Sequence, residues 1–158
     1  MNNCNLDREK KNKVHTINSI LADLNNNVKF SCPTPTAALY CQEALATLIS
    51  NGYNEPINWY IALDLEDLMK IFSDEMNFCE LTVDADKLES YSETISKLNI
   101  NRRAFIYLRA NEDTLNEYVL NTVLCTNAVI EKDVEHWIQY SIDNEMPLGS
   151  VVVDMWYC

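Results

Sequence analysis

Glycine is almost missing from this chain, with Gly52 and Gly149 the only two in 158 residues. P-loops and dinucleotide folds need clustered glycines so that the backbone can approach a phosphate. Two isolated glycines exclude both kinds of nucleotide site. Proline is scarce as well, with four, and no Pro-, Gly- or Ser-rich stretch divides the chain. On a scale of roughly 100 to 200 residues per domain, the expectation is one globular domain over residues 1–158. Its N-terminal part, 1–29, is mildly basic and its C-terminal part, 110–158, strongly acidic.

Metal-ligand spacings are absent too. No C-x-x-C, H-x-x-x-H or H-E-x-x-H occurs, and the two histidines, His15 and His136, sit in contexts that suggest packing or surface roles. The apolar runs are short, as in Tyr60-Ile61-Ala62-Leu63, far below the roughly 20 residues of a membrane span. Residues 1–15 lack the apolar core of a signal peptide. A cytoplasmic protein without membrane contact is therefore expected. The six cysteines (Cys4, Cys32, Cys41, Cys79, Cys125, Cys158) are scattered, and free thiols in a reducing compartment are the matching expectation.

Positive charge is in short supply: 12 Lys and Arg stand against 24 Asp and Glu, for a net charge of −12. Such a surface repels a phosphate backbone or an anionic membrane. Arg102-Arg103 beside Phe105 and Tyr107 would suit stacking on single-stranded nucleic acid, but the net charge outweighs the pair, which is expected to cap a strand entry or pair with neighbouring acids instead. The deficit is uneven. Residues 110–158 carry nine acids (Glu112, Asp113, Glu117, Glu131, Asp133, Glu135, Asp143, Glu145, Asp154) against Lys132 alone.

Periodicity organises the rest. Val14, Ile17, Leu21 and Leu24 lie on one helical stripe, which ends at Asn25-Asn26-Asn27. Residues 28–31 suit a short strand. Thr34 with Pro35 reads as an N-cap and first-turn proline for a helix with Leu39, Leu45, Leu48 and Ile49 inward, ending at Asn51-Gly52. Alternation predicts strands at 57–63, 78–83, 104–109 and 151–157. Leu63-Asp64 before Leu68, Val83-Asp84 before Leu88 and Ala110-Asn111 before Leu115 repeat one pattern, a strand end followed by an N-capping Asp or Asn and a leucine four residues later. Helices are expected over 65–74, 85–98 and 112–123. A last one is expected over 131–144, with Val134, Trp137, Ile138 and Ile142 inward. The fold class is α+β: a mixed sheet of about 4–5 strands with about 5–6 helices, including strand-(Asp/Asn N-cap)-helix units.

Two chemistries are legible in outline. Asp84 and Asp86 at a strand end, joined by Asp64 from a neighbouring strand, could form an oxygen site for a divalent ion. Their D-x-D spacing resembles that of the haloacid-dehalogenase phosphatases, which would imply phosphoryl transfer. The later lysine and acidic pair of that family are not found. Cys32, just before a helix, is the best placed thiol nucleophile. A metal- or cysteine-dependent enzyme of unknown substrate is thus one alternative, and a self-associating structural protein another.

The stronger pattern is acidic and aromatic. Glu131, Asp133, Glu135, Trp137, Tyr140, Asp143 and Glu145 fall within fifteen residues, the mixture of charge and aromatic anchors found at protein interfaces. They predict a binding protein without cofactor, which occludes a basic partner such as a nuclease or a nucleic-acid-handling complex. In size, charge and lack of catalytic motif it is similar to toxin immunity proteins and phage anti-defence inhibitors, whose carboxylates stand in for nucleic-acid phosphates.

Overall fold

The computed structural model describes residues 3–53, 65–72, 75–84, 86–114 and 116–158. The elements run α1 (Asn3–Asn27), β1 (Lys29–Ser31), α2 (Pro35–Tyr53), α3 (Leu65–Ile71), β2 (Glu75–Asp84), α4 (Leu88–Ser96), β3 (Arg103–Ala110), α5 (Asn116–Val129), β4 (Glu135–Ile142) and β5 (Ser150–Tyr157). This is an α+β fold with a mixed five-stranded sheet in the order β1-β2-β5-β3-β4. The expected strand at 57–63 and Asp64 lie outside the described residues.

β1 is parallel to β2 and β3 to β4, while β5 is antiparallel to both its neighbours. The last strand therefore fills the central slot between β2 and β3. Its composition suits that place: Val151-Val152-Val153 and Met155-Trp156 are all buried, as a strand covered on both faces requires. Alternate residues face opposite sides. Trp156, with Phe78 and Phe105, joins the core built with Ile20 and Leu24 of α1, Cys41, Ala44, Leu45, Leu48 and Ile49 of α2, and Leu68 of α3. Val151, Val153 and Met155 join the other core, with Tyr91 and Ile95 of α4 and Val119 of α5. Helices thus cover both faces.

Local signals act where they were expected in α2, whose Ala37 amide donates to Thr34 Oγ1 at 3.0 Å. The helix continues through Gly52 to Tyr53, because a glycine inside a helix costs only about 1 kcal/mol and does not forbid it. Asn25 and Gln42 exchange two side-chain hydrogen bonds of 2.9 Å, which tie the end of α1 to α2.

Two of the three strand-to-helix units lie within the described residues, β2 to α4 and β3 to α5, and in both the polar residue sits in the turn rather than at the helix itself. Asp84 O accepts from the Lys87 amide at 2.9 Å and α4 starts at Leu88, with Lys87 at the N-cap position and no side-chain cap. Asn111 Oδ1 accepts from the Asp113 amide at 3.0 Å, an Asx turn, and α5 begins at Asn116.

One expected element is of the wrong type. The segment expected as a helix over 131–144 is a turn followed by the strand β4, paired in parallel with β3 from Arg103↔Glu135 to Ala110↔Ile142. Val134, Trp137, Ile138 and Ile142 satisfy a helical period, but the same stretch also alternates, and its Trp, Tyr and Ile side chains favour a pleated surface. Pairing with β3 decides between the two.

Candidate functional site

The correction to β4 changes how the acidic and aromatic residues are presented. On a helix, Trp137 and Tyr140 would share a face. On a strand they point to opposite sides of the sheet, Trp137 packing against the α1–α3 core and Tyr140 against the α4–α5 core. Both are half-buried. Among the described residues β4 has a neighbour on one side only, so it is an edge strand.

Acids gather at the two ends of this edge. Glu131 and Asp133 are exposed in the turn before it, and Glu135, at its first residue, pairs with Arg103 at 3.3 Å. Asp143 follows its last residue, its amide donating to Ala110 O at 2.9 Å, and exposed Glu145 donates its own amide to Asp143 Oδ1 at 3.0 Å. Arg103 also lies 6.0 Å above the Trp137 ring and donates to Lys70 O at 2.7 Å, at the C-terminal end of α3. The arginine pair thus includes one that meets an acid, as expected. His136 is a tie: one ring nitrogen lies 3.1 Å from Val134 O and the other 2.9 Å from Asn127 Oδ1 on α5.

Of the three aspartates of the metal reading, Asp64 lies outside the described residues. Asp84 is engaged by Lys87 Nζ at 3.0 Å, Asp86 is exposed, and among the described residues no group of three His, Cys, Asp or Glu could hold an ion. The thiols are poorly suited to attack. Burial pushes Cys41 and Cys79 up to about 12, so neither is a thiolate near neutral pH. Cys41 Sγ accepts from the Trp156 indole N–H at 3.4 Å. Cys32 is half-buried against the same core, and Cys32, Cys41, Cys79 and Cys125 are free thiols.

The most unusual electrostatics were not singled out by the sequence. Arg109 on β3 is buried and reaches across β5, its Nε 2.8 Å and Nη2 2.7 Å from Asp154 Oδ2. Nη2 also lies 3.2 Å from Glu80 Oε2 on β2, and Nη1 3.8 Å from Asp143 Oδ2. Three carboxylates share one guanidinium. Asp154 is fully buried, and that desolvation, with the hydrogen bond to Glu80, raises its carboxyl well above the usual range despite Arg109. Asp154 Oδ1 has no hydrogen-bond partner among the described residues. A signal existed: one aspartate inside the apolar run of β5. Through Asp143, the cluster anchors the far end of the β4 edge.

No family matches the sequence, and no curated protein does. Among solved structures the fold is similar to that of FtsZ from M. jannaschii. A point mutant of FtsZ aligns with a TM-score of 0.53 and 16% identity, over 92% of this chain and 52% of that one. An empty FtsZ dimer aligns with a TM-score of 0.53 and 14% identity, over 92% and 50%. The chain spans about half the length of these structures. At such identity the likeness is one of fold alone. No helix among the described residues is long and apolar enough to cross a membrane.

Proposed function

We propose that this protein is a small acidic binding protein of the cytoplasm that neutralises a basic protein partner by occlusion, as toxin immunity proteins and phage anti-defence inhibitors do. The observation that carries the reading is the position of residues 131–145. Five acids and two half-buried aromatic residues collect along one edge of the sheet, with Lys132 the single lysine or arginine in that stretch. A nuclease or another nucleic-acid-handling protein offers the complementary surface. Carboxylates at both ends of the edge would steer such a partner into place, and Trp137 and Tyr140 would hold it.

Association kinetics with a purified partner at two ionic strengths test this. The association rate is expected to fall steeply as salt rises, because exposed charges are screened beyond a Debye length of about 8–10 Å at 0.1–0.15 M. Replacing Glu131→Gln, Asp133→Asn and Glu135→Gln together is expected to slow association and leave dissociation largely unchanged. An acidic partner, or binding indifferent both to salt and to these substitutions, overturns the proposal.

A further inference from the structure

The helix α5 partly reverses the usual arrangement of a surface helix. Its inward side places two hydroxyls in the core, for Thr122 and Thr126 are 1% and 0% exposed. Carbonyls of the same helix satisfy them, Thr122 Oγ1 donating to Tyr118 O at 2.8 Å and Thr126 Oγ1 to Thr122 O at 2.7 Å. Its outward side shows Leu120 and Leu124, each 56% exposed, with exposed Ala128 one turn further on. Recurring at every fourth residue, these three form one stripe along the helix. A helix with apolar residues on both sides belongs under cover on both. From within, α5 packs on α4 and β5. The described residues that flank 54–64, Tyr53 and Leu65, belong to α2 and α3 in the layer on the opposite face of the sheet.

Charge decides what can cover the stripe. From Tyr118 to Ile130 no residue is charged, in a chain of which 23% is. A basic partner is recognised by carboxylates, and α5 has one acid, Glu117, in its first turn. An anionic lipid surface is repelled by the net charge of −12. A second copy is the partner for which a charge-free face matters most, because across a two-fold axis every charge near the axis meets a like one. The polar residues beside the stripe, Asn116, Asn121 and Asn127, each carry a donor and an acceptor and so can pair with another asparagine. Two antiparallel α5 helices centred between Leu120 and Leu124 set Leu120 of each chain against Leu124 of the other, and Glu117 against Asn127. Asn127 Oδ1 faces His136 Nε2 at 2.9 Å, which directs its Nδ2 to the Glu117 carboxylate as donor.

We propose that the outer face of α5 is a self-association surface, on which two copies of this chain pair as an antiparallel two-fold dimer through Leu120, Leu124 and Ala128. The inference goes beyond the occlusion reading and does not depend on it. One helix from each copy buries less than the roughly 1,200 Å² at which stable interfaces begin, so the dimer is weak and depends on concentration.

Sedimentation velocity of the full chain over a range of about 5 to 500 μM tests this. The mean mass is expected to rise from 18.2 kDa toward twice that value. The rise is expected to be steeper at high salt, which screens the repulsion between two acidic chains. Replacing Leu120→Gln and Leu124→Gln together keeps helix propensity and is expected to weaken the dimer about tenfold or more, with the urea midpoint of the dilute protein unchanged. Leu39→Gln, at a leucine of α2 that is 57% exposed on the other layer, is expected to leave the dimer intact. Asn121→Asp and Asn121→Lys, beside the axis, are each expected to be monomeric alone and to dimerise when mixed. A monomer at every concentration, a dimer insensitive to the two leucine substitutions, equal loss in Leu39→Gln, or growth beyond a dimer overturns the proposal. Should the double leucine variant unfold, the Asn121 pair carries the test, and no recovery of the dimer on mixing overturns it.

Discussion

Arg109 and Asp154 are joined across two strands by a double contact, Nε and Nη2 of the guanidinium meeting the same carboxylate oxygen at 2.8 and 2.7 Å. Neither is exposed enough to be rescued by water: Arg109 is 8% and Asp154 0% accessible. The pair lies beside the aromatic group in which Trp156 contacts Phe72, Phe78 and Phe105 with ring centroids 5.3–5.9 Å apart. The sheet interior is therefore apolar at one end and ionic toward the other.

Removing Arg109 leaves the buried Asp154 carboxyl group without the donor that meets its Oδ2. Arg109→Ala is expected to destabilise the fold by about 3–5 kcal/mol, the range for breaking a buried pair from one side. Asp154→Asn leaves Arg109 with Glu80 and Asp143 and is expected to cost less. Urea unfolding of the two single variants and the double variant measures the coupling. Additive losses would mean that the contact contributes nothing of its own.

The same cluster makes stability depend on pH. Folded Asp154 keeps its proton up to about 8, whereas the unfolded chain releases it near the ordinary value of about 3.9. Between these limits the folded state binds more protons, so unfolding free energy falls as pH rises, by at most about 1.4 kcal/mol per unit for one proton. The charged and titratable groups around it are Glu80 on β2, Arg109 on β3, Asp143 after β4, Cys41 on α2 and Cys79 on β2. Denaturation midpoints from pH 5 to 8 are expected to decline in the natural sequence and to flatten in Asp154→Asn. An unchanged slope in the variant would assign the dependence to other groups.

Buried thiols should resist alkylation. At pH 8 a thiol with its pKa pushed up to about 12 holds roughly a thousandfold less thiolate than one at 9. Mass mapping after brief treatment with iodoacetamide is expected to find Cys41 and Cys79 unmodified in the folded protein and modified in urea. Native disulfides in the same map would contradict free thiols.

Divalent ions are expected to leave the melting temperature unchanged, since Asp84 already pairs with Lys87 at 3.0 Å and a ligand stabilises only by RT ln(1 + [L]/Kd). Thermal scans with Mg²⁺, Mn²⁺ and Zn²⁺ measure this. A rise of several degrees that disappears in Asp84→Ala would restore the metal reading.

Local chemistry was enough to locate most of the elements. The stripe ending in Leu24, the Thr34 cap, the alternation in 104–109 and the run beginning at Val151 each depend on neighbours within a few residues. Those signals survive because capping, helical period and strand alternation are set by backbone geometry over one or two turns. The acidity of 110–158 was also complete in the composition. What sequence could not decide is whatever depends on which strands become neighbours. Residues 131–144 fit both a helical and an alternating period, and only the ladder to β3 made them an edge strand with Trp137 and Tyr140 on opposite faces. Asp154 reads as one more acid until β5 inserts between β2 and β3. The registers Glu80↔Asp154 and Tyr107↔Asp154 then remove it from water, and Arg109 is the cation within reach. Burial and register are properties of contacts between residues 29 to 74 positions apart in the chain, which no local pattern encodes.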